Sequence, residues 1–141
     1  GVVATAGSTY VHTETLTGLS LVASVPVGLA AVALLVINNL RDIPGDTAAG
    51  KQTLAVRLGD PATRRLYVAL LVGVGVGIIV TAVVFRLPAL LGLVGLATAV
   101  APLRAVRGGA VGPALIPVLG GTGRVQLLAG LGLALGLALG G

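Results

Sequence analysis

The chain of 141 residues is 56% hydrophobic and only 9% charged, with a formal net charge of +5. A soluble domain carries about 25% charged residues, so this chain lacks the polar surface for a water-facing exterior and is expected to set most of itself against lipid or other helices. Its aromatics are Tyr10, Tyr67 and Phe85 alone, and its basic residues lie between apolar stretches, which excludes a nucleic-acid partner; the lack of cysteine excludes a disulfide framework, a thiolate zinc site and a cysteine nucleophile.

In chain order, Gly1 to Val11 is apolar without the basic start or cleavage site of a secretory leader, and is expected to be the tail of a helix that begins upstream. Four uncharged apolar stretches follow, at about 19–40, 66–85, 87–103 and 125–141, the last running to the final residue. Each is read as a membrane span, for which ~17–25 apolar residues are needed. The expected fold is all-α, a polytopic transmembrane helix bundle of four full spans plus the tail of a preceding helix.

The charges divide by side. Arg41, Lys51, Arg57, Arg64 and Arg65 lie between the first two spans, Arg86 between the second and third, and Arg104, Arg107 and Arg124 before the fourth. By the positive-inside rule the crowded side is cytoplasmic, which puts the loop 41–65 on the cytoplasmic side of the cell membrane and Arg86 and the C-terminus outside. His12 and Glu14 then fall outside as interfacial polar residues, and Tyr10 and Tyr67 read as interface anchors. Gly73, Gly77 and Thr81, and likewise Gly132, Gly136 and Gly140, recur every four residues and are expected to form helix-packing seams. Thr81 and Thr98 are expected to bond back to their own helices. Asp60 is expected to cap the second span, with Pro61 in its first turn. The apolar stretch from Gly108 to Gly123, with Pro113 and Pro117, is either a re-entrant segment or an irregular start to the last helix. Gln126 faces either a cavity or the headgroups.

The segment Asn38–Asp60, NNLRDIPGDTAAGKQTLAVRLGD, is unlike the rest. Asp42 and Asp46 are four residues apart, with Asn38 one turn earlier, so a helix would present all three on one face. Pro44 is expected to end or kink that helix, because proline lacks the N–H and disfavours the α conformation at Ile43. Two like charges at the negative end of a helix dipole call for a cation. Arg41 is one candidate and Mg²⁺ is another, since that ion takes one or two carboxylates together with waters and substrate phosphates. Lys51 and Arg57 carry the point charge and the planar fork that suit phosphate oxygens.

The run Asn38-Asn39-Leu40-Arg41-Asp42-x3-Asp46, followed by Gly50-Lys51-x-Thr53-Leu54-Ala55-Val56-Arg57-Leu58-Gly59, resembles the second aspartate-rich motif of the UbiA superfamily of membrane prenyltransferases. It is most similar to the menaquinone-biosynthesis branch acting on 1,4-dihydroxy-2-naphthoate. Looser similarity extends through Gly7–Val11 and Gly120–Leu128. The resemblance implies a UbiA-like, all-helical membrane domain of which residues 1–141 form the C-terminal part. It implies an enzyme that transfers a polyprenyl group from polyprenyl diphosphate to the naphthoate, with loss of CO₂ and diphosphate. Carried over by position, Asp42 and Asp46 are the expected catalytic Mg²⁺ ligands, and Asn38, Arg41, Lys51 and Arg57 the expected diphosphate contacts. The superfamily's first aspartate-rich motif has no counterpart in this sequence, so the isolated chain is expected to be inactive. The competing readings are a superfamily member with another aromatic acceptor and, in a different class, a fragment of a transporter or channel, whose ion sites lie near the bilayer midplane.

Overall fold

A computed structural model describes residues 17–140. Among these there is no strand. The elements are α1 (Gly18–Ala48), a short α2 (Leu54–Leu58), α3 (Asp60–Val84), then a 3₁₀ turn (Leu87–Leu91), α4 (Gly92–Leu96), a second 3₁₀ turn (Ala97–Ala99) and α5 (Val100–Arg107), which together form one rod, and lastly a 3₁₀ turn (Gly112–Leu115) leading into α6 (Ile116–Leu139). Four of these units, Gly18–Ala48, Asp60–Val84, Leu87–Arg107 and Gly112–Leu139, are long and apolar enough to cross a membrane. They run up and down as a four-membered bundle. α1 packs chiefly on α3, the Leu87–Arg107 rod packs on α6, and α1 meets α6.

α1 runs unbroken through Pro44. The expected break does not occur, because the missing N–H of Pro44 costs one bond and ordinary helical bonding resumes beyond it, from Ala49 N–H to Gly45 O at 3.0 Å. Pro26, buried in the same helix, sits in the hollow left by Gly77 of α3; a Cβ there would lie 3.1 Å from its ring.

α3 also departs from expectation at its start. Its N-cap is Gly59, at φ 77°, and Asp60 makes no capping bond, being drawn instead to Arg64. The last helix begins at Ile116, directly from the 3₁₀ turn at Gly112–Leu115. Only the 3₁₀ turn is irregular: the helix is regular from Ile116, ahead of the expected start at Val125, and Arg124 lies inside α6 on an exposed face, not in a loop.

The tightest packing is between the rod and α6. A Cβ at Gly136 would strike the backbone of Pro88 and Ala89, one at Gly132 the backbone of Leu91 and Gly92, and one at Gly95 the backbone of Leu128 and Ala129. Backbone lies on backbone, as small residues allow where no hydrophobic force drives helices together. Of the expected stripe, Gly132 and Gly136 thus form a backbone seam, faced from the rod by Gly92 and Gly95, while Gly140 meets the side chain of Arg86. Gly73 and Gly77 receive side chains of α1 instead: Leu29 and Pro26. Thr81 and Thr98 bond back to Gly77 O and Gly95 O at 2.8 and 2.7 Å.

The largest buried cluster lies toward the end where α1 stops and α3 starts, and includes Ile37, Leu40, Tyr67, Leu71, Val106 and Leu115. Tyr67 is no interface anchor: it is fully buried, and its hydroxyl lies 2.8 Å from Thr122 Oγ1. Thr122 donates its own proton to Val118 O, so Tyr67 is the donor in this pair. Tyr10, His12 and Glu14 lie outside the described residues.

Candidate functional site

The last three turns of α1 carry the polar motif beyond Leu40, where the apolar stretch ends. Because the helix persists through Pro44, Asn38, Asp42 and Asp46 do share one face. Arg41 turns back and grips Asp42 with both arms of its guanidinium, Nε to Oδ1 at 2.8 Å and Nη2 to Oδ2 at 3.1 Å. Asn38 Nδ2 reaches the same Oδ2 at 3.4 Å, a long and weak bond. The hydrogen bonds from Arg41 hold the Asp42 carboxyl below the usual carboxylate range; burial opposes this, and the charges of Arg41 and Lys51 add to it.

The helix then ends in a turn whose geometry has a chemical result. Gly50 takes φ 70°, a left-handed conformation that glycine adopts without strain. Its N–H bonds to Thr47 O at 3.1 Å and that of Lys51 to Asp46 O at 2.8 Å. These two bonds are the Schellman pattern that satisfies the last free carbonyls of a helix. They fold Lys51 back over Asp46, so that Nζ lies 3.5 Å from the Asp46 carboxylate. The Asp46 side chain is 14% exposed and that of Lys51 66%. Each carboxylate thus has a cation, which answers the electrostatic problem posed by two acids at a helix C-terminus.

Beyond the turn, Thr53 caps α2 by accepting from Val56 N–H at 3.4 Å. α2 carries Arg57 on its exposed side, in no side-chain hydrogen bond or ion pair among the described residues. The structure brings together five of the six expected residues, as the group Asn38, Arg41, Asp42 and the pair Asp46–Lys51, and leaves Arg57 nearby in sequence but uncoupled. No group of three or more metal-ligating side chains occurs among the described residues. Two carboxylates one turn apart would nevertheless suit Mg²⁺, a hard cation that takes one or two carboxylates together with other oxygen ligands, once the Arg41 fork lets go.

A second polar cluster stands beside this one and was missed from the sequence. Arg64 binds Asp60 through Nε at 2.6 Å and Nη2 at 2.8 Å, and reaches across to Val106 O at 2.7 Å and Ala110 O at 2.8 Å. One guanidinium ties the start of α3 to the end of α5 and to the turn before α6. The Asp60–Arg64 spacing was visible in the sequence as a helical ion pair; the two carbonyls, supplied from far along the chain, were not. At the opposite end Arg86 donates to Leu137 O at 2.7 Å, so it fixes the last turn of α6 as well as marking a loop.

Four membrane-length helices, with two paired carboxylates and their basic partners at one end, define a multi-pass membrane protein with a cluster of charge at the end of its first described helix. The chain belongs to the UbiA prenyltransferase family, whose model matches residues 1–110. It is 43% identical over 141 residues to a 1,4-dihydroxy-2-naphthoate octaprenyltransferase of Mycobacterium leprae (strain TN), covering 100% of this chain and 48% of that protein. It is 43% identical over 143 residues to the protein of the same description from Mycobacterium tuberculosis (strain ATCC 25618 / H37Rv), covering 99% and 48%. A third relative so described, from Escherichia coli (strain K12), is 46% identical over 67 residues, 48% of this chain and 22% of its own length. The chain therefore spans about half the length of the curated relatives it matches. No solved structure matches it.

Proposed function

We propose that this chain supplies the second acidic half-site of a membrane prenyltransferase that joins a polyprenyl group to 1,4-dihydroxy-2-naphthoate, with loss of CO₂ and diphosphate. The observation that carries the reading is the end of α1, where Asp42 and Asp46 share a face and the Gly50 turn lays Lys51 over Asp46. Family membership and the printed descriptions of the relatives support it.

In this reading Asp42 and Asp46 would hold Mg²⁺, which when bound would supply neutralising charge to the diphosphate leaving group. Arg41 and Lys51, released from the carboxylates as the substrate arrives, turn to the diphosphate; Arg57, already unpaired among the described residues, needs no release. Asn38 orients Asp42. The electron-rich ring carbon that carries the carboxylate would then bond to the allylic carbon, and its carboxyl group would leave as CO₂, returning the bonding pair to the ring. The motif end of the bundle faces the cytoplasm, consistent with the excess of basic residues at that end. The same site could serve a superfamily member with another aromatic acceptor, since no acceptor contact is assigned to this chain.

The test is Asp42→Asn in the intact protein. Turnover should fall by about 10²–10³-fold, the usual cost of removing one preorganised electrostatic group, with the melting temperature in detergent unchanged. Near-normal turnover would overturn the assignment. Product analysis with 1,4-dihydroxy-2-naphthoate and 4-hydroxybenzoate in parallel fixes the acceptor.

A further inference from the structure

The bundle has a second place suited to a phosphate. α3 and the Leu87–Arg107 rod lie close at the Arg86 end but diverge toward the motif end, leaving a cleft between the first turns of α3 and the last turns of α5. Arg65 and Arg107 stand at its mouth. Below them the cleft continues as an apolar groove that shares Val68 and Arg107 with the mouth and runs along Val72, Val100 and Leu103. Val72 is 61% exposed and Val100 49%.

Charge decides what fits. The third arginine at the mouth, Arg64, is spent on Asp60, Val106 O and Ala110 O, and its salt bridge neutralises the one nearby acid. Arg65 and Arg107 form no ion pair or side-chain hydrogen bond among the described residues, and no acidic residue lines either part of the cleft. Two free guanidiniums at a membrane edge, directly above an apolar channel between helices, match a molecule with a phosphate at one end and a hydrocarbon chain at the other. A choline or ethanolamine head would bring a cation to an already positive mouth, so a net negative head is preferred. None of Asn38, Arg41, Asp42, Asp46, Lys51 and Arg57 lines the cleft.

We propose that this cleft binds an anionic glycerophospholipid, with its phosphate on Arg65 and Arg107 and an acyl chain along Val68, Val72, Val100 and Leu103. The arginines are thereby more than topology signals: they hold a lipid in a fixed place, and that lipid fills the space that the diverging helices leave open.

Native mass spectrometry of the intact protein, extracted in mild detergent and offered phosphatidylglycerol and phosphatidylcholine in equal amounts, tests this. Phosphatidylglycerol should be retained in preference. The R65Q/R107Q variant should lose that preference by about thirtyfold, the combined strength of two arginines at a charged membrane surface. The R104Q/R124Q variant, with the same loss of charge, should keep it. Leu103→Trp, which fills the groove and leaves every charge in place, should also weaken retention. Equal retention of the two lipids, equal loss in both double variants, or displacement by farnesyl diphosphate would each overturn the proposal. The last would show that the cleft takes a prenyl substrate. Because the readout is bound lipid and not turnover, the result stands apart from the proposed reaction.

Discussion

At Gly50 a single backbone dihedral decides where Lys51 lies. Any side chain there must adopt a left-handed conformation, at a cost of about 1–2 kcal/mol. Gly50→Val should therefore lower stability by that amount and let the turn relax, carrying Lys51 away from Asp46. In the intact protein this should appear as a raised KM for the prenyl diphosphate with a smaller change in kcat; an unchanged KM would dissociate the turn from substrate binding. Asp42 offers a test by pH. Its carboxyl is held below the ordinary range by Arg41, so it stays ionised as pH falls through the usual carboxylate pKa of about 4 and is protonated only beneath it. Metal binding, followed with Mn²⁺ as a paramagnetic probe, should persist to pH 5; an acid limb centred near pH 6 would point to a different ligand. The shared face of Asn38 and Asp42 was legible in the sequence from helical spacing; that Asp46 stays on it was not, because Pro44 reads as an end or kink between them. The link between Gly50 and Lys51 was not, since it depends on how the helix ends.

The helices show why local rules mislead here. Pro44 read as a break because proline is costly inside a helix, yet the helix crosses it and keeps both acids on one face. Tyr67 read as an interface anchor because tyrosine favours that depth; it is buried because Thr122, on another helix, accepts its proton. Tyr67→Phe should cost about 0.5–1.5 kcal/mol, the net worth of one hydrogen bond, and should leave the Thr122–Val118 bond intact. The glycines offer a sharper contrast. A Cβ at Gly136 would strike the backbone of Pro88, whereas one at Gly130 meets nothing within 4 Å. Gly136→Ala should therefore destabilise the protein by about 1–3 kcal/mol, as forced overpacking does, while Gly130→Ala should be neutral or slightly stabilising. Equal melting temperatures for the two would mean that the seam is not closed. Spacing-four glycines were visible in the sequence, but which of them touch backbone depends on the opposing rod.

For the molecule as a whole, Arg64 is the tie between its parts at the motif end. It joins α3 to α5 and to the turn before α6 through carbonyls that have no other side-chain partner among the described residues. Arg64→Gln should release the turn Gly108–Val111, so that its amides exchange with deuterium faster while those in the middle of α6 keep their protection. Uniform acceleration across the bundle would indicate a global role instead. The placement of charges predicts a topology that can be checked directly, because these residues contain no cysteine. A cysteine placed at Arg86 and one at Arg104 should be labelled from opposite sides of the membrane, the second from the cytoplasm.

The glycine seam has a mechanical consequence. Where helices meet through side chains, they can slide by changing rotamers. Between the Leu87–Arg107 rod and α6 the carbonyls of Pro88 and Leu91 rest against glycine, leaving little to rearrange. A bilayer thicker or thinner than the bundle must then be met by tilting the pair as one body, since neither helix can slip along the other. Arg64, bonded to the end of the rod at Val106 O, is one link by which such a tilt reaches the start of α3 and the polar end of the bundle.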